Sequence, residues 1–204
     1  IFSLGRRFRH FIWSGVRIGV NAEWVRPIDP LFLHEDALFN GAAEFTVLER
    51  EVAVVPGDSR ATGLVRVRFS ELPVAEWSKL GNREKRERGI TKGAGVSIVR
   101  GGREVDYGWF FLGEKRRENY DDWWRCEILF EPTLDEAFGI THAKQQIRPR
   151  PDLIAALSGD IENTARALNS RARKAHLSVK MAERFSSSEE RATEKDDLLT
   201  PLPS

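Results

Sequence analysis

The stretch from Trp123 to Gln146, WWRCEILFEPTLDEAFGITHAKQQ, limits the possible folds most, because its hydrophobic period changes twice within a short span. Trp124, Cys126, Ile128 and Phe130 alternate with Arg125, Glu127 and Glu131. A two-residue period of this kind belongs to a strand with one buried face. Pro132 ends it, since proline cannot donate to a sheet ladder. Thr133 can cap a short helical turn carrying Leu134, Ala137 and Phe138, with Asp135 and Glu136 in its first turn and Gly139 as its stop. The polar run Thr141-His142-Ala143-Lys144-Gln145-Gln146 then reads as a loop. A strand, a turn and this loop together present one cation, Lys144, at a fixed place, although spacing alone names no ligand.

The rest of the chain supplies partners for that strand. Leu4, Phe8, Phe11 and Ile12 recur at helical spacing with arginines on the other side, and 16–20 with 24–25 read as a small hairpin turning at Asn21-Ala22. Residues 43–55 predict a strand bent near Glu49 to Glu51, and Pro56-Gly57-Asp58-Ser59 a turn. In 64–69, Val65, Val67 and Phe69 alternate with Arg66 and Arg68, which predicts an antiparallel return. Leu72 to Arg88 is polar and reads as a mobile excursion. Residues 96–100 and 103–107 form a hairpin around Gly101-Gly102. Pro151 suits the start of the longest helix, whose Leu153, Ile154, Leu157, Ile161, Ala165 and Leu168 hold helical spacing. The Ser-rich acidic stretch 186–204 has little to bury and reads as disordered.

Composition narrows the function classes. Lys and Arg number 32 against 31 Asp and Glu, so only a local basic cluster could recognise nucleic acid. Arg83, Lys85, Arg86, Arg88 and Lys92 form one such cluster, and 166–184 is another. The 41% hydrophobic content, with six Trp and twelve Phe, suffices for a packed core. One cysteine, Cys126, excludes an internal disulfide framework and fits a reducing cytoplasm. No apolar run approaches the roughly 18 residues of a membrane span, so no membrane partner is expected. The four histidines fall at no zinc-binding spacing, so no metal site is expected. Asp121-Asp122 and Asp135-Glu136 read as solvent-facing starts of turns rather than acid/base couples. The Gly93-Ala94-Gly95 glycines precede a strand, which is the wrong order for a dinucleotide-binding turn.

Two segments carry a resemblance. GVSIVRGGREVDYGWF (95–110) and WWRCEILFEPTLDEAFGITHAKQQI (123–147) resemble the second domain of bacterial ATP-binding proteins of the gyrase B, histidine kinase and MutL superfamily, and GVRIGVNAEWVRPIDPLFLH (15–34) resembles the hairpin closing their nucleotide-binding domain. The resemblance implies a transducer domain of ribosomal-protein-like βαβ character, whose lysine reaches the terminal phosphate of ATP. That lysine corresponds to Lys144, with Gln145 as a neighbour able to reach the nucleotide. The superfamily's glutamate-to-asparagine helix and Asp-x-Gly-x-Gly turn do not occur in this sequence, so ATP and Mg would be held by an upstream domain in the full-length protein and not by this chain alone.

The expected architecture is therefore α+β: a mostly antiparallel sheet from 44–55, 62–70, 95–107 and 123–131, with helices on one face. Residues 1–30 are expected to be the remnant helix and hairpin of the upstream ATP-binding domain, 31–170 the transducer-like domain, and 171–204 a basic helix end and tail. The chain, beginning at Ile1, reads as a fragment that carries no catalytic residues of its own. Two alternatives stand beside the ATPase reading: a nucleic-acid-binding module using the basic clusters, and a homodimerisation module using the long helix.

Overall fold

A computed structural model of the chain describes residues 1–57, 60–113, 115–140 and 146–197, with side chains described as far as 186. Its frame is a five-stranded sheet. The chain opens with helices α1 (Phe2–Arg7) and α2 (Arg9–Trp13), then the strands β1 (Gly19–Val20) and β2 (Glu23–Trp24), which pair as a hairpin across Asn21-Ala22. Phe8, with φ −112, breaks what the spacing predicts as one helix into two. The sheet strands follow: β3 (Ala43–Ala53) and β4 (Thr62–Glu71) pair antiparallel, with the register shift at Glu44/Thr46 rather than near Glu49 to Glu51.

The segment after β4 is not a loose excursion. It folds into α3 (Val74–Trp77) and α4 (Asn82–Glu87), and Leu72, Val74, Trp77 and Ile90 are buried with Phe32, Trp123 and Ala172 in a second apolar cluster. Few apolar residues are needed when each is fully buried, and the Leu72 amide also donates to the Trp123 carbonyl at 3.0 Å. β5 (Val96–Arg100) and β6 (Arg103–Gly108) form the expected hairpin, and β7 (Trp124–Phe130) enters the middle of the sheet.

The strand order is β3-β4-β7-β5-β6. All neighbours are antiparallel except β5 and β7, which run parallel with Ser97 beside Glu127 and Ile98 beside Ile128. The chain between these parallel strands is β6 and a 3-10 turn at Asn119–Trp123, not an α-helix. The architecture is thus the expected α+β type.

On one face, Val65, Val67, Phe69, Val96, Ile98, Trp124, Cys126, Ile128 and Phe130 meet the last helix, α5 (Pro151–Asp197). That helix buries Leu153, Leu157, Ile161, Ala165 and Leu168, a three-to-four-residue spacing that keeps one stripe on the sheet. It continues past Ala172 as far as Asp197, into the stretch 186–204 that the sequence reads as disordered, and Leu177, Met181 and Phe185 are exposed on it. The opposite sheet face is covered in part by α1 and α2. No helix among the described residues is long and apolar enough to cross a membrane.

The buried stripe should therefore end near Ala172. Leu157→Ala should cost about 3 kcal/mol in urea unfolding, whereas Leu177→Ala should cost about 0.5 kcal/mol or less. Equal costs at the two positions would contradict this placement of α5.

Candidate functional site

Two places on the molecule bear on function, and they lie on opposite faces of the edge strand β6. The first is the frame around the lysine loop. Lys144 and Gln145 lie in 141–145, outside the described residues, but the chain on either side is fixed. Phe138 is buried and stacks on Phe130 at 3.6 Å between ring centroids. Its carbonyl accepts the Arg148 amide at 2.9 Å, and the Ala137 carbonyl accepts the Arg150 amide at 2.9 Å. The Ile147 amide donates to Asp106 Oδ2 at 3.0 Å, tying the returning chain to β6. Gly139 has φ +63, and a Cβ there would stand 2.0 Å from the Arg148 carbonyl oxygen, so only glycine permits this close approach. Asp135, expected on solvent, instead receives two hydrogen bonds from Arg100, at 2.5 and 2.7 Å, which locks the acidic turn to β5. Arg150 adds bonds from its guanidinium to the Ala53 and Val54 carbonyls, both at 2.9 Å.

The second place is a cavity of about 240 Å³ where the N-terminal segment meets the sheet. Of the basic cluster read from sequence, Arg88 and Lys92 line it, joined by Arg6 and Arg125. The other three do not converge there. Arg83 pairs with Glu87 at 2.7 Å on the exposed side of α4, Lys85 donates to the Ser78 carbonyl, and Arg86 is exposed. Arg88 carries its own i,i+4 partner, Glu84, at 2.6 Å. The five residues are therefore not one basic surface.

Behind this cavity lies an ionic group that sequence reading places on solvent. Glu127, on the non-α5 face of β7, is 1% exposed and accepts from Arg9, itself 0% exposed. Arg9 also donates to Ser97 Oγ at 2.8 Å and Glu104 at 3.1 Å, and His10 Nε2 lies 3.1 Å from Glu127. Arg6 joins through Glu104 at 2.9 Å. Burial by itself would raise the Glu127 carboxyl, but the charges and hydrogen bonds of Arg9 and His10 outweigh it and hold the pKa down at about 2. Burial likewise opposes charge on Arg9, and Glu127 and Glu104 more than compensate, so its pKa is raised.

Asp121, expected to face solvent, is a second buried carboxylate. It takes Lys115 Nζ at 2.6 Å and Trp124 Nε1 at 3.2 Å, and is fully buried. Cys126 is a buried free thiol whose pKa burial pushes well up, so it is core rather than nucleophile. Among the described residues no three His, Cys, Asp or Glu side chains converge as metal ligands.

The lowered carboxyl makes a signed pH test possible. Glu127 contributes stability that is complete above its unfolded pKa near 4.5 and is lost as pH falls through about 2. Glu127→Gln should cost on the order of 3 kcal/mol at neutral pH, because buried Arg9 loses one of its two carboxylate partners and keeps only Glu104. The gap between the two proteins in denaturant unfolding should narrow as pH falls from about 5 toward 2. A gap independent of pH would show that the carboxylate charge is not what holds the pair.

In comparisons with protein-family models, curated proteins and solved structures, nothing matches the chain.

Proposed function

We propose that residues 31–170 are the transducer-like second domain of an ATPase of the gyrase B, histidine kinase and MutL superfamily. In this reading Lys144, with Gln145 beside it, reaches the terminal phosphate of ATP held with Mg by an upstream domain, and the domain passes the nucleotide state on by how it docks. The observation that carries the proposal is the frame around 141–145. The chain leaves at Gly139 and returns at Ile147, and the two ends are pinned to Phe130 of β7 and Asp106 of β6. A compact ammonium on a loop from such a frame can meet a phosphate at a reproducible position, which is what sensing that phosphate requires. The sequence of 95–147 supports the same reading, because its hairpin and acidic turn are elements that build the frame.

In this reading this chain's part is to orient and neutralise phosphate, and the upstream domain holds the Mg. Loss of the terminal phosphate would remove the partner of Lys144 and loosen docking between domains. The buried free thiol of Cys126 is in keeping with a cytoplasmic setting.

In the full-length protein, Lys144→Ala should lower ATP hydrolysis or nucleotide-dependent closure by about tenfold or more, as loss of a charge-assisted phosphate contact does. Its melting temperature should stay that of the parent. Residues 1–204 alone should show no turnover. Unchanged hydrolysis and closure in the variant would remove Lys144 from the site, and turnover by residues 1–204 that Lys144→Ala abolishes would place the pocket in this chain after all.

A further inference from the structure

The cavity between the N-terminal segment and the sheet has features that packing alone does not require. One wall is apolar, made by Phe2, Ile28, Pro30, Phe32 and Phe39. The other carries Arg6, Arg88, Lys92 and Arg125. Two of these cations have no carboxylate contact. Arg125 is 1% exposed and donates only to backbone carbonyls, those of Asp122, Trp124, Gly89 and Ile90, at 2.6 to 3.0 Å. Lys92 makes no side-chain hydrogen bond or ion pair among the described residues; its backbone amide donates to Asp122 Oδ1 at 3.0 Å. A third group, Arg6 Nη2, is buried without a hydrogen-bond partner, while the same guanidinium lies 3.8 Å over the Tyr107 ring.

The lining also has one carboxylate, Asp29. Both its oxygens are already engaged by amides, those of Leu31 at 2.9 Å, Leu33 at 2.8 Å and His34 at 3.0 Å. It therefore turns its hydrogen-bonding capacity to the loop 29–34 rather than to the cations. The backbone is held at some cost here. Lys92 and Phe32 both sit in the left-handed region, at φ +62 and +58, where non-glycine residues are disfavoured. At Gly93 a Cβ would come within 1.9 Å of the Gly89 carbonyl oxygen and 2.6 Å of Arg125 Nη2, so the turn 89–93 closes tightly on the buried guanidinium. Burial pulls the Arg125 pKa down, and the nearby Arg6 and Arg117 charges add to that against Tyr107 and Asp122. An anion in the cavity would offset the cationic charge gathered along this wall.

We infer that this cavity is a binding site for a small organic anion, a carboxylate or phosphate head facing Lys92, Arg88 and Arg6 with an aromatic body against Phe32 and Phe39. The shared chemistry is an oxyanion on an apolar ring. The cavity volume suits a single ring with its head group rather than a nucleotide. The site is separate from the frame that flanks 141–145, since Tyr107 borders it on one face of β6 whereas Asp106 holds Ile147 against the α5-side core. It stands or falls independently of the ATPase reading.

Titration of residues 1–204 with phenylacetate and with phenyl phosphate, followed by calorimetry, tests it. At least one should bind saturably and weaken with salt, because the contacts are ionic, and the tighter of the two identifies the head group. Lys92→Gly removes the ammonium and frees a backbone position that glycine adopts without strain. It should leave the melting temperature equal or higher while weakening binding about tenfold. Phe39→Ala should weaken it as well. No binding of either anion would overturn the inference, as would an affinity that Lys92→Gly leaves unchanged. Binding of uncharged benzyl alcohol as tight as that of phenylacetate would also overturn it, and inorganic phosphate binding as tightly as phenyl phosphate would overturn the aromatic half.

Discussion

The buried contact between Arg9 and Glu127 is the constraint on which the rest depends. It joins residues 118 apart in sequence and welds the first helices to the centre of the sheet. Arg9 reaches β5 through Ser97, β6 through Glu104 and β7 through Glu127 at once. Those three acceptors are brought within reach of one guanidinium only when β5 and β7 pair parallel, with Ser97 beside Glu127. Taking ions out of water costs several kcal/mol each, so the cluster is weak as a source of stability and strong as a test of register. A sheet paired one residue out of step would turn Glu127 toward the apolar face and take from buried Arg9 one of its two carboxylates. Even in the native arrangement Arg9 Nε lacks a partner, a residual cost of this kind.

That weld also explains what the sequence could and could not reveal. The alternation in 124–130 and 64–69 is visible because a strand's two faces differ, and the stripe from Leu153 to Leu168 because a helix repeats every three to four residues. The same alternation assigns Arg125 and Glu127 to solvent, and both are buried. Nothing local signals this: Glu127 is covered from the far end of the chain by Arg9 rather than by an apolar residue, and Arg125 is taken up by the Gly89 and Ile90 carbonyls. Leu72 to Arg88 misleads for a related reason. Its composition is polar, yet Leu72, Val74 and Trp77 are enough to seal one end of the sheet against α5. Asp121 is hidden likewise, since its partner Lys115 is itself a charged residue that no hydrophobic period marks as buried.

For the lysine loop, the residues that build the frame were legible and its fixity was not. The strand, the acidic turn and Gly139 can be read in order from Trp123 onward. That Asp135 bonds Arg100, or that Asp106 bonds the Ile147 amide, depends on β5 and β6 lying beside β7, which only the fold establishes. The anion cavity was half legible. Arg88 and Lys92 belong to a basic cluster seen in sequence, whereas Arg6 and Arg125 arrive from 82 residues earlier and 37 later than Arg88 in the numbering. Both places meet on β6, one on each face, and both depend on the N-terminal segment and the sheet forming one body.

Native-state hydrogen exchange measures that unity directly. If the Arg9 cluster joins the N-terminal helices to the sheet, the amides of Phe8 and Ile12, which are hydrogen-bonded to Leu4 and Phe8 carbonyls, should exchange through the same opening as the amides of β5 and β7. Glu127→Gln should lower protection in both regions together. If the helix amides exchange by an opening of far lower free energy than the sheet, and Glu127→Gln changes the sheet alone, the weld between Arg9 and Glu127 does not hold the molecule together and the account built on it is wrong.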